Sequence, residues 1–264
     1  MNFDFEIILS SAVVICGLIV LFDIFFLSPK RKYASANKAI TIKTPVMMEY
    51  AREIFPVLLI VFLLRSFLYE PFRIPSGSLK PTLLVGDFIL ANKFNYGIRL
   101  PVFHQKIVTI GEPKHGDIVV FREPTIQARR LIKRVIGLPG DHISYINKIL
   151  YINGQKIPQA FEKFSMDHDD NLAPWQVEQK QEVFFNIKHS IFHIINREQE
   201  NFYDIIVPEH KYFMMGDNRD DSADSRTWGF LPEENIIGKA NRVLISWDTL
   251  QHPLRWDRIG MKIN

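Results

Sequence analysis

The chain has 264 residues, 47% hydrophobic and 23% charged, with a formal net charge of +3, which is enough for one sizeable core and a membrane anchor. The small charge, with Lys and Arg scattered rather than gathered on a recognisable module, argues against nucleic-acid binding. Cys16 is the only cysteine, which excludes an intrachain disulfide and a cysteine-based metal cluster.

Residues 7–27 are apolar apart from small hydroxyl side chains and Asp23, about the 20 residues that a helix needs to cross the hydrocarbon. Asp4 and Glu6 stand where a cleaved signal peptide carries positive charge, and the apolar run is too long for one. A second run, residues 54–68, is shorter and contains Pro56; as a span it depends on Arg52 and Arg65 snorkelling, just as Asp23 would reach the interface from the first run. Between the runs Lys30, Arg31, Lys32, Lys38, Lys43 and Arg52 outnumber Glu49 and Glu53, so the positive-inside rule places this loop in the cytoplasm. Residues 1–70 then form a two-helix anchor, and everything beyond about residue 70 lies outside, which in a bacterium is the periplasm.

Next comes Pro75-Ser76-Gly77-Ser78-Leu79-Lys80-Pro81-Thr82-Leu83. The prolines stiffen both sides, and Gly77 lets two hydroxyls approach; the same composition also suits an ordinary solvated turn. Residues 87–93, 116–121 and 150–157 are short apolar segments, the last with Asn153-Gly154 between alternating apolar residues, a hairpin signal. They predict a mostly β domain. Residues 158–207 are more polar, with an acidic cluster at 167–170, and read as an insertion lobe that divides a catalytic core into residues 71–157 and 208–264. His168, His189 and His193 fall in the insertion without a second pair at metal spacing, and read as surface or packing histidines.

Lys133 stands among Leu131, Ile132, Val135 and Ile136. A lysine desolvated there loses its proton more easily: bringing its pKa from about 10.4 toward 8 costs about 3 kcal/mol, and a neutral lysine serves as general base to a serine. A surface lysine snorkelling from an edge strand is the alternative. The run Gly216-Asp217-Asn218-Arg219-Asp220-Asp221-Ser222-Ala223-Asp224-Ser225-Arg226 offers enough carboxylates for calcium, but it lacks the EF-hand spacing and the terminal Glu. Arg219 and Arg226 compete for Asp217, Asp220 and Asp224, so a charge network bracing a loop is the better reading, with Ser222 placed to hydrogen-bond the lysine amine.

In this order, Pro75-Ser76-Gly77-Ser78, Lys133-Arg134 with Gly137-Leu138-Pro139-Gly140-Asp141, and the 216–226 run resemble the bacterial type I signal peptidases, the leader peptidases of Gram-negative inner membranes. The likeness includes the two N-terminal runs, Tyr69-Glu70-Pro71-Phe72 and residues 116–121, and so covers nearly the whole chain. It implies a membrane-bound serine endopeptidase that cuts signal peptides after an Ala-x-Ala pattern, with Ser78 as nucleophile, Lys133 as base, Ser222 orienting Lys133, and the Ser78 N–H with the Ser76 hydroxyl as oxyanion donors. Phe72, Ile74, Pro75, Leu83, Val120 and Ile132 would line two shallow substrate pockets. The implied fold is a β-rich core with a smaller inserted α+β lobe and an apolar surface on the bilayer, to which Trp247, Trp256, Leu250 and Leu254 contribute unless they are core.

The implied partners are secretory preproteins, the lipid bilayer and the export translocon, with no nucleic acid, cofactor or metal. An inactive relative that binds signal sequences without cutting them would have lost Ser78 or Lys133, and both are present. A Ser–Lys self-cleaving repressor would need a DNA-binding helix pair and no spans. The chain departs from the commonest pattern at Leu79, where Met is usual, and at Leu131, where a related pattern has Tyr. Without a cysteine outside the anchor it also lacks the disulfide of some relatives.

Overall fold

The computed structural model describes residues 5–38, 43–102, 105–126, 128–168, 173–199, 201–247 and 254–263. They fall into two compact units, residues 1–69 with 99–107, and residues 70–98 with 108–264.

In the first unit α1 (Phe5–Phe22) continues through a π-helical turn (Asp23–Leu27) into α2 (Ser28–Lys38). The stretch Phe5–Tyr33 is the one helix among the described residues that is long and apolar enough to cross a membrane. Its apolar side chains face outward, Leu18 at 61% and Phe25 at 68% exposure, as suits a lipid surround. Asp23 is fully buried and paired with Arg31 at 2.6 Å and with Arg52, because a carboxylate withdrawn from water needs matching charge. The second run is helical from further upstream, as α3 (Val46–Leu63) with a π-helical turn to Leu68. Met47, Glu49, Ala51, Arg52 and Glu53 are good helix formers, so the helix begins before the apolar stretch does. Arg65 stacks over the Phe5 ring, 4.3 Å from its centroid.

The second unit is built of strands. A seven-stranded sheet runs in the order β1 (Tyr69–Arg73), β2 (Asp87–Asn92), β16 (Ile236–Ser246), β5 (Ile118–Arg122), β6 (Arg130–Gly137), β14 (Lys211–Met215), β15 (Leu231–Pro232). In chain order, two short strands, β3 (Ile98–Arg99) and β4 (Lys106–Val108), follow β2, and residues 99–107 belong to the first unit. A four-stranded sheet has the order β13 (Phe202–Ile206), β7 (His142–Ile146), β8 (Ile149–Ile152), β9 (Gln155–Lys156). Asn153 and Gly154, both at positive φ, close the β8–β9 hairpin as the Asn-Gly signal requires. A three-stranded sheet joins β10 (Gln159–Asp167), β11 (Trp175–Phe184) and β12 (Ile187–Ile194).

β5 shows why the core sits where it does. Ile118 and Val120 enter one apolar cluster, while Val119 and Phe121 enter another on the opposite face. A strand covered on both faces reads as a continuous apolar run rather than an alternating one. β6, its neighbour, brings Lys133 and Arg134 into the same double-sided burial.

The insertion differs from the expected α+β lobe. Its described residues form strands and no helix, and they belong to the same compact unit as the core. In β11 the polar stretch 178–182 lies between Val177 and Val183, and its register is fixed by pairing with β10 on one side and β12 on the other. Residues 202–206 pair with β7 instead of with the insertion, which moves the boundary inward. The charge cluster at 167–170 is described only at Asp167, since Asp169 and Asp170 lie outside the described residues. Trp247 and Trp256 are 54% and 74% exposed, so they belong to the surface and not the core; Leu254 is partly buried, and Leu250 lies outside the described residues.

Candidate active site

After β1, Ile74 pairs with the start of β2 through Ile74 N–H to Asp87 O (2.8 Å) and Gly86 N–H to Ile74 O (3.0 Å). The chain then makes a single 3-10 turn, Gly77–Leu79. Leu79 and Leu83 plug this turn into the apolar cluster of Ile74, Val120 and Ile132. Burying two leucines removes enough apolar surface from water to fix a short loop, at about 2 kcal/mol each. The fastening leaves Ser78 almost covered, 7% exposed, and aimed at β6.

Lys133 lies opposite Val119 in the β5–β6 ladder. Its ammonium nitrogen donates to Ser78 Oγ in a short hydrogen bond. Burial pushes its pKa down to about 8; the Asp224 carboxylate pulls the other way, and the Arg226 guanidinium adds to the lowering. A substantial fraction is therefore unprotonated near pH 8, next to a hydroxyl. Ser76 Oγ is 3.4 Å from Ser78 Oγ.

Arg134, one position on, points to the other face because successive strand residues alternate. It grips Asp217 with two parallel bonds of 2.8 Å, from Nε to Oδ1 and from Nη2 to Oδ2. Thr82 Oγ1 donates to the same carboxylate at 2.5 Å. Burial alone would raise the Asp217 pKa, but the Arg134 charge and bonds more than offset it and hold the carboxyl below its usual range.

The other members of the 216–226 run are braced in kind, with partners that the sequence did not suggest. Arg219 pairs with Glu182 of β11, at 3.0 Å through Nη1 and closely through Nη2. Asp220 accepts from Lys148 at 2.6 Å and from the Ile194 N–H at 2.8 Å. Asp224 alone takes its cation from the run itself, bonding Arg226 at 2.7 Å, and it also accepts the Gly216 N–H at 3.0 Å. Burial opposes ionisation of Asp224, and Arg226 overcomes it. Among the described residues no group of three or more His, Cys, Asp or Glu could hold a metal; His189 and His193 are buried and held below the usual imidazole range, chiefly by burial.

Ser222 does not make the expected bond to Lys133. Its buried hydroxyl lies beside Gly216 and toward the Asp224 carboxylate, which it helps to hold ionised; Lys133 directs its proton to Ser78 instead. Gly216 is required here, since a Cβ would lie 2.4 Å from both Ser222 Oγ and the Ser78 carbonyl oxygen. Of the expected pocket residues, Ile74, Leu83, Val120 and Ile132 are buried together in one apolar cluster with Phe72 packed against it, while Pro75 is exposed.

Three features had no role in the sequence reading: Arg134, Asn218 and Asp167. Asn218 donates its N–H to Ser78 O (3.1 Å) and its side-chain amide to Gly77 O (3.3 Å). A second buried cation next to Lys133 in an apolar strand was the available signal for Arg134; a hydrogen bond across more than a hundred residues leaves none for Asn218.

A family model described as signal peptidase, peptidase S26, matches residues 47–247, a stretch that contains every residue of this site. A signal peptidase I of Pseudomonas fluorescens is 43% identical, covering 99% of this chain and 99% of its own length. One from Pseudomonas aeruginosa is 42% identical, covering 94% of each. The crystal structure of a signal peptidase I from Enterococcus faecalis V583 is 28% identical and covers 50% of this chain and 98% of that one, with a TM-score of 0.30.

Proposed function

This chain belongs to the signal peptidase family, peptidase S26, and from that premise we propose that it cleaves the signal peptides of exported preproteins with Ser78 as nucleophile and Lys133 as general base. The observation that carries the proposal is the buried Lys133 amine, its pKa pushed down to about 8 and its nitrogen bonded to Ser78 Oγ. An unprotonated Lys133 takes the hydroxyl proton as Ser78 Oγ attacks the scissile carbonyl carbon. The oxyanion that forms is met by the Ser78 N–H and the Ser76 hydroxyl, donors whose strength is felt mainly in the transition state and whose removal costs about 3 kcal/mol each. The Lys133 ammonium then gives the proton to the departing amine, which frees the mature protein and leaves an ester on Ser78. Water, deprotonated by the same amine, hydrolyses the ester.

The choice of small side chains ahead of the cut is part of the proposal, since Ile74, Leu83, Val120 and Ile132 pack behind the serine turn in one apolar cluster and leave no deep pocket for a large one. Cleavage of a preprotein whose signal ends in Ala-x-Ala tests the reading. The parent chain is expected to cut after the small residue, while Ser78→Ala and Lys133→Ala, both folded, lose at least about a thousandfold in kcat. Undiminished cutting by either variant would sink the dyad, and peptide binding without cutting by the parent would favour a non-catalytic binder.

For topology, the proposal is two spans with the second unit in the periplasm. The apolar Phe5–Tyr33 helix, the outward Val57, Ile60 and Leu64 of the second helical run, and the basic loop between them support it. Protease added outside spheroplasts is expected to digest the chain beyond residue 70; full protection would contradict it.

A further inference from the structure

The inserted sheet ends at the catalytic loop. Asp167, the last residue of β10, is buried, and both of its oxygens are engaged. Oδ1 accepts from Lys80 Nζ at 2.7 Å and from the His168 N–H at 2.9 Å; Oδ2 accepts from the Asn218 side-chain amide at 2.9 Å. Lys80 also donates to the His168 carbonyl at 2.7 Å.

These two partners of Asp167 both meet the same turn. The Lys80 stem lies across Gly77 so closely that a Cβ there would be 3.0 Å from Lys80 Cε and 3.2 Å from Nζ. Asn218 holds the Gly77 and Ser78 carbonyls, at 3.3 and 3.1 Å. The turn contains the Gly77–Ser78 peptide, whose N–H is the oxyanion donor in the mechanism above.

We propose that Asp167 is a positioning residue for turnover, a strut from the inserted sheet that sets the Gly77–Ser78 peptide through Lys80 and Asn218. The inference rests on the reading of Ser78 as nucleophile. Two bonded partners, each fixed by the same carboxylate, over-determine the peptide, and an oxyanion donor gains its strength from being held in place before charge develops. Asp167 touches no reacting atom, so its loss changes how well the transition state is met while leaving substrate binding largely as it was. The insertion thereby acquires a role in the reaction that its distance in sequence conceals.

The test compares Asp167→Asn, Lys80→Met and the double variant with the parent, on a preprotein ending its signal in Ala-x-Ala, with thermal unfolding measured alongside. Asp167→Asn is expected to lower kcat at least tenfold with KM within twofold. Lys80→Met is expected to lower kcat at least fivefold, and the double variant to lose no more than the worse single, because the two changes cut one strut. A folded Lys80→Met with kcat within twofold of the parent overturns the proposal. So does a loss confined to KM or to melting temperature, which would make Asp167 a structural link and nothing more. Should Asp167→Asn fail to fold, Lys80→Met alone decides. Ser78→Ala run in parallel separates the two readings: if it still cuts, the nucleophile assignment falls; if it is dead while the Asp167 and Lys80 variants turn over normally, only the strut falls.

Discussion

Lys133 and Arg134 are neighbours on one strand and both are buried, yet they meet opposite faces of the sheet with opposite electrostatic outcomes. Around Arg134 and the 216–226 run, each of four cations faces a carboxylate: Arg134 with Asp217, Arg219 with Glu182, Lys148 with Asp220, Arg226 with Asp224. Asp217, Glu182 and Asp224 are all held below the usual carboxylate range despite burial that opposes it. On Lys133's side the nearest polar contact is a neutral hydroxyl, and burial wins: the pKa falls to about 8. One protein thus uses the same cost of desolvation in two ways, matched to brace a loop and unmatched to make a base.

The comparison can be broken on either side. The largest effect is expected on the matched side. Arg134→Met leaves the Asp217 carboxylate buried without its partner, so unfolding in denaturant should show a loss of about 3–5 kcal/mol. A change under about 1 kcal/mol would mean that the bidentate pair contributes little. Smaller in effect is Ser222→Ala, which removes a buried hydroxyl beside Gly216 and Asp224. Asp224 is the charge that acts most strongly on Lys133, and kcat is expected to fall at least about tenfold with the fold intact. Unchanged turnover would assign Ser222 to loop packing.

Much of this site was legible in the sequence for local reasons. A lysine flanked by Leu131, Ile132, Val135 and Ile136 is readable either as desolvated or as a surface lysine, and Ser76-Gly77-Ser78 between prolines either as a constrained turn or as an ordinary one; the fold buries both Lys133 and Ser78. The partners were not legible. The Asp and Arg residues of the 216–226 run looked sufficient to one another, whereas three of the four charged pairs reach outside it, because strand register rather than proximity in sequence decides who meets whom. Asp167 sat in an acidic cluster that served only to mark the insertion, and only the fold shows its neighbours. The start of α3 at Val46 was missed for a different reason: apolar content marks where a helix can enter a membrane, while helix propensity marks where the helix begins.

The measurement that tests the central claim most directly is the pH dependence of Ser78 acylation in single turnover. An unmatched, buried Lys133 is neutral above its lowered pKa, so the rate should climb with pH to a plateau, with the midpoint of the rising limb near 8. A midpoint near the ordinary lysine value of about 10.4, or a rate independent of pH through this range, would contradict the account and require another base.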